Sequence, residues 1–120
     1  MAAVSLFAPL AIVVEIREER PENPRRAFRL SRSVADSGII LERPAPFEVD
    51  QPVTATFALP DPSARESFCL RALVALTDSD GDGSEGGAHL VFTDAPTEAR
   101  RTIIKYVAGR LGLPGAESRR

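Results

Sequence analysis

The chain has no tryptophan, one tyrosine and six phenylalanines. A core drawn from 120 residues so poor in aromatics has to be filled by Val, Ile, Leu and Ala. A single cysteine, Cys69, excludes an internal disulfide and points to a reducing compartment. A single histidine, His89, with no cysteine motif beside it, excludes the common zinc ligand sets. No run approaches the ~18 apolar residues of a membrane span. The apolar stretch 4–14 has no basic lead, is broken by Pro9 and runs into Glu15, so it is read as neither a signal peptide nor a membrane insertion. A cytoplasmic protein is expected.

Charge of one sign is also lacking. The net charge of −2 names no partner and argues against a nucleic-acid binder, which would carry a basic excess. The G-x-S-x-G elbow and the P-loop are missing. No nucleophile, base and stabiliser are brought together by any motif, so there are no candidate catalytic residues and the chain is not read as an enzyme.

What is present is a series of short β-type segments. Residues 10–16 (LAIVVEI) are β-branched and apolar and read as a strand. Residues 17–24 (REERPENP) form a charged hairpin loop, with Glu15, Glu18 and Glu19 as a solvated acidic cluster. In residues 26–34 (RAFRLSRSV) an extended chain places Phe28, Leu30 and Val34 on one side and Arg29, Ser31 and Ser33 on the other. Residues 35–38 (ADSG) are a tight turn, with Gly38 supplying the positive φ such turns use. A short strand follows at 39–42, then a proline-rich loop at 43–52.

Residues 53–59 (VTATFAL) alternate cleanly, with Val53, Ala55, Phe57 and Leu59 facing one way. After a turn at 60–64 comes the longest strand, 67–76, with Phe68, Leu70, Ala72, Val74 and Leu76 inward and Cys69 read as a core thiol. A polar, glycine-rich loop at 77–87 leads to a strand at 88–92. The period then changes. Ala99, Ile103, Val107 and Leu111 recur every fourth residue, predicting a helix over 96–111 with Pro96 at its first position and Gly112 at its stop. The fold class expected is mainly β: a small antiparallel barrel with a C-terminal α-helix packed on it. Residues 1–112 form one domain and 113–120 a flexible tail.

Three stretches, in this order and spacing, resemble the bacterial PilZ family. Ser33-Val34-Ala35-Asp36-Ser37-Gly38 followed by Ile39-Ile40-Leu41 is similar to the family's D/N-x-S-x-x-G motif and its short strand. Residues 48–60 (EVDQPVTATFALP) resemble the strand ending in a Leu-Pro step, and 88–107 the closing strand, turn and helix. The resemblance covers about residues 8–111 and implies a PilZ-type barrel.

It also implies a ligand, cyclic di-GMP, which the family holds with an R-x-x-x-R motif before the first strand and with the D/N-x-S-x-x-G turn. Guanidinium forks suit phosphate oxygens and flat bases. Here residues 1–9 (MAAVSLFAP) contain no arginine or lysine, Ser33 replaces the acid or amide, and Ala35 replaces the serine. Ser33, Asp36, Ser37 and Gly38 remain as a degenerate ligand corner. Each charge-assisted hydrogen bond lost with the clamp is worth roughly 1.5–3 kcal/mol, so no cofactor is expected and cyclic di-GMP binding is not.

Arg25 and Arg29 do stand in R-x-x-x-R spacing, with Arg26 and Arg32 beside them, but after the first strand. They read either as the wet side of a hairpin or as an anion- or partner-binding patch with Arg25, Arg29 and Ser33 on one face. Residues 78–83 (DSDGDG) match the first half of a calcium loop, yet the twelfth position is His89 and not the bidentate glutamate, so a hairpin tip is preferred and no metal site is assigned.

The function expected is a non-enzymatic signalling adaptor whose partner is another signalling or motility protein. The resemblance implies a role in bacterial motility or surface behaviour. The partner would meet the 25–32 face or the helix side bearing Arg100, Arg101 and Lys105. The alternative is a cyclic di-GMP receptor that uses the displaced Arg25 and Arg29.

Overall fold

The computed structural model describes residues 7–20, 22–60, 67–75 and 88–112. Expectations for the 61–64 turn, Leu76, the 77–87 loop with its acidic half-motif, and the 113–120 tail lie outside them.

Among the described residues the strands are β1 (Ala8–Pro9), β2 (Val13–Glu18), β3 (Arg26–Ala35), β4 (Gly38–Leu41), β5 (Pro52–Ala58), β6 (Ser67–Ala75) and β7 (His89–Phe92), followed by helix α1 (Thr97–Leu111). Every pairing is antiparallel. The order β3-β2-β5-β6-β7-β4 returns to β3, so six strands close a barrel, with the two-residue β1 laid on the end of β3. Closure leaves no open edge among those six. The expected fold class is the observed one.

The core is aliphatic, as the lack of aromatics requires. Val14, Ile16, Val34, Ile39, Val53, Val74, Leu90 and Ile103 are fully buried. Ala45 and Phe47, in the proline-rich connection after β4, are buried too, so that loop carries part of the core. Helix α1 packs against β1 and β3 and sinks Ile103 and Val107 into the cluster. Gly112 ends it in the left-handed conformation at φ 71°, donating its N–H back to the Gly109 carbonyl. Pro96 is extended at ψ 152° and caps the helix from outside; it is not the first helical residue.

Three local readings are corrected. The first long strand starts at Val13, not at residue 10, because residues 10–12 form a kink that joins β1 to β2 along the same edge of β3. Ser31, inside β3, holds that kink: its Oγ accepts from Ile12 N at 3.0 Å and donates to the Leu10 carbonyl. Second, the faces of β3 are not those that simple alternation predicts. A register shift lies between Ser31 and Ser33 in the β3–β4 pairing, and a bulge of this kind inverts the alternation beyond it. Val34 is therefore buried while Phe28 and Leu30 point outward, and the inward positions before the shift are Ala27 and Ser31. Third, Cys69 is exposed, on the outward phase of β6 between buried Phe68 and Leu70.

Candidate functional site

The β3–β4 hairpin turns on Asp36 and Ser37, and its surroundings are supplied by this chain itself. On one flank Ser33 faces Pro9 of β1, and on the other it faces Ile40 of β4. Asp36 is met by Arg100 of α1, with Nη2 3.2 Å from Oδ2. The Ser37 carbonyl accepts the Phe92 N–H of β7 at 2.9 Å. Arg110, at the far end of α1, donates to the Pro9 carbonyl at 3.1 Å. Phe7 stands edge-on to the half-buried His89, ring centres 5.8 Å apart; burial pushes the His89 imidazole below its ordinary pKa.

Gly38 does not use a positive φ, contrary to expectation. Its requirement is space: a Cβ there would overlap the carbonyl oxygen of Leu90 on β7, where the two backbones pair. The one motif residue that survives intact thus has a sufficient reason in the barrel wall.

The arginines next to β3 are spread over different environments. Arg25 closes the β2–β3 hairpin on Glu18: its Nε and Nη2 lie 3.1 and 2.8 Å from Oε2, and its backbone N–H donates to Oε1 at 3.0 Å. Gln51 Nε2 adds a further bond to Oε2 at 2.8 Å. Glu18 is only 4% exposed, so it is a buried, fully bonded carboxylate and not part of a solvated acidic cluster. The Arg25 side-chain bonds, then its backbone N–H and Gln51, lower the Glu18 pKa from 4.5 to about 2. The same guanidinium lies 5.2 Å from the centre of the Phe47 ring.

Arg26 pairs with Glu15 at 3.3 Å on the outer wall. Arg29 is half-buried and shares the phase of Ala27 and Ser31; its Nε donates to the Pro44 carbonyl at 3.1 Å and its Nη1 to the Phe28 carbonyl at 2.9 Å. Arg32 is exposed at the register shift and makes no ion pair among the described residues. Arg25, Arg29 and Ser33 are thus engaged with three different neighbours: Glu18, the loop after β4, and the strands beside β3.

A feature that sequence reasoning missed lies on the outside of the same hairpin. Val13, Phe28 and Leu30 are 59%, 57% and 44% exposed. Beside them a cleft of about 260 Å³ is lined by Phe28, Arg29, Leu30, Glu42 and Arg43. The signal in the sequence was weak, because both phases of residues 26–31 mix apolar and polar side chains.

Among the described residues no three His, Cys, Asp or Glu side chains are grouped to hold a metal ion. No described helix is long and apolar enough to cross a membrane.

The described residues form a closed six-stranded antiparallel barrel followed by one helix, which reaches the β3–β4 corner through Arg100 and Asp36. Among solved structures it is similar to the inhibitor of motility MotI/DgrA of Bacillus subtilis, with a TM-score of 0.70 over 92% of this chain at 15% sequence identity. The chain spans 51% of that protein's length, and at this identity the likeness is one of fold. No protein-family model matches the chain. No curated protein matches it by sequence.

Proposed function

We propose that the chain is a PilZ-like signalling adaptor that acts through a protein partner in the control of bacterial motility, in the cytoplasm, and carries no catalytic activity. Its likeness in fold to an inhibitor of motility supports the context. The observation that carries the reading is the engagement of the only arginines in R-x-x-x-R spacing. Arg25 is tied to the buried Glu18, and Arg29 to the Pro44 carbonyl. A phosphate would have to displace both sets of bonds before gaining its own. In this reading Ser33, Asp36, Ser37 and Gly38 are the remnant of a ligand corner whose bonds now go to α1, β1 and β7.

Calorimetric titration with cyclic di-GMP tests it. No saturable heat is expected from the wild-type chain. Binding in the micromolar range, about −8 kcal/mol, that disappears in an Arg25→Ala, Arg29→Ala double variant would establish the receptor reading instead.

A further inference from the structure

We propose that the outer face of the β2–β3 hairpin, centred on Val13, Phe28 and Leu30, docks an acidic peptide segment of a partner protein that also carries an apolar side chain. The proposal rests on the adaptor reading and names its surface. Val13 and Leu30 are direct partners across the two strands, and Phe28 is the next outward residue of β3, opposite Glu15. Scattered apolar side chains are normal on a surface, but three contiguous ones on a barrel wall that otherwise faces water are a contact site in need of a cover. The adjoining cleft, about 260 Å³, is concave and has room for a large apolar side chain.

Charge selects the occupant. The outward pair after Phe28–Glu15 is Arg26 opposite Arg17, two cations facing each other across a hairpin, an arrangement that disfavours the strand pairing. Glu15 reaches only one of them, Arg26. Arg43 lines the cleft at the other end, and Arg32 is exposed one residue beyond Ser31. This local basic excess stands on a chain of net charge −2, and carboxylates on a partner would complement it. Glu42 in the cleft and Glu15 in the middle of the face disfavour a flat sheet of anionic lipid, whereas a peptide can set its charges around them.

The test pans a display library of random linear peptides on the full chain and measures the enriched sequences by fluorescence anisotropy. Enriched peptides are expected to set an aromatic or aliphatic residue among Asp and Glu, and to lose affinity as salt is raised. Phe28→Ser and Leu30→Ser should each weaken them at least about tenfold. Arg17→Glu, which leaves the apolar residues in place, should weaken them as well and keeps the test decisive if a serine variant folds poorly. Absence of enrichment, enriched peptides without acidic residues, or affinities indifferent to these variants would overturn the proposal. So would binding to phosphatidylglycerol vesicles that Phe28→Ser abolishes. None of these results touches the adaptor reading, which stands or falls on the dinucleotide titration.

Discussion

Glu18 and Arg25 join the last residue of β2 to the residue just before β3, with Arg25 Nη2 2.8 Å from a carboxylate that is itself buried. The pair is more than a surface ion bridge, because the carboxylate also takes the Arg25 N–H and the Gln51 amide. Gln51 in turn belongs to the turn that leads into β5, where Glu48 N donates to its Oε1 at 3.0 Å. One carboxylate therefore ties the hairpin to the neighbouring strand.

This arrangement sets a direction for acid unfolding. The Glu18 pKa is lowered by folding, from 4.5 to about 2, so the unfolded chain takes up the proton first as the pH falls. The stabilisation is complete above about 4.5 and is lost as the pH drops toward 2. Glu19, held down by Arg71 across β5, adds to the same slope. Thermal melts are expected to show a midpoint that declines over this window, with a shallower decline in Glu18→Gln. An identical slope in that variant would remove Glu18 as the titrating group.

The sequence made much of this barrel legible, and the reasons differ by element. In β5 a clean two-residue alternation, Val53, Ala55, Phe57 and Leu59 against Thr54 and Thr56, left one solution, and those four are buried. In α1 the four-residue recurrence and Gly112 marked the stop and the centre of the stripe, with Ile103 and Val107 buried and Ala99 partly so. Leu111, in the last turn, is exposed and not part of the core. In β3 the inward positions are Ala27 and Ser31, small and polar, while the outward ones are Phe28 and Leu30, so hydrophobicity pointed the wrong way. The register shift after Ser31 depends on pairing with β4, which no local pattern contains. Glu18 was hidden for a related reason: its partners Arg25 and Gln51 meet it only when three strands are assembled.

Ser31 should be among the most sensitive polar positions. It is 1% exposed, and its hydroxyl serves both Ile12 N–H and the Leu10 carbonyl in the β1–β2 kink. Ser31→Ala leaves both groups without that partner, and a loss on the order of 2 kcal/mol is expected in denaturant melts. A loss below about 0.5 kcal/mol would mean that water replaces the hydroxyl.

Cys69 gives a direct check on the phase of β6. Its neighbours Phe68 and Leu70 face the core, while its own side chain faces out beside Thr56, Oγ to Sγ 3.6 Å. A maleimide reagent should label the folded chain to one equivalent, with no need for denaturant, since an exposed thiol requires no unfolding to react. Labelling that appears only in denaturant would place Cys69 inward and shift the β5–β6 register by one residue.

The hairpin corner separates structural from ligand-linked roles most sharply. Asp36 and Arg100 form an exposed pair at 3.2 Å, and pairs of this kind contribute about 0–1 kcal/mol, so Asp36→Ala should melt close to wild type. Gly38→Ala adds a single carbon against the Leu90 carbonyl, part of a backbone held in the β4–β7 ladder that cannot retreat without breaking it. A destabilisation of roughly 1–3 kcal/mol is expected, in the absence of any ligand. If Gly38→Ala melts with the wild type, the β4–β7 contact is looser than the close backbone approach implies, and the glycine at this corner would need a reason outside the barrel wall.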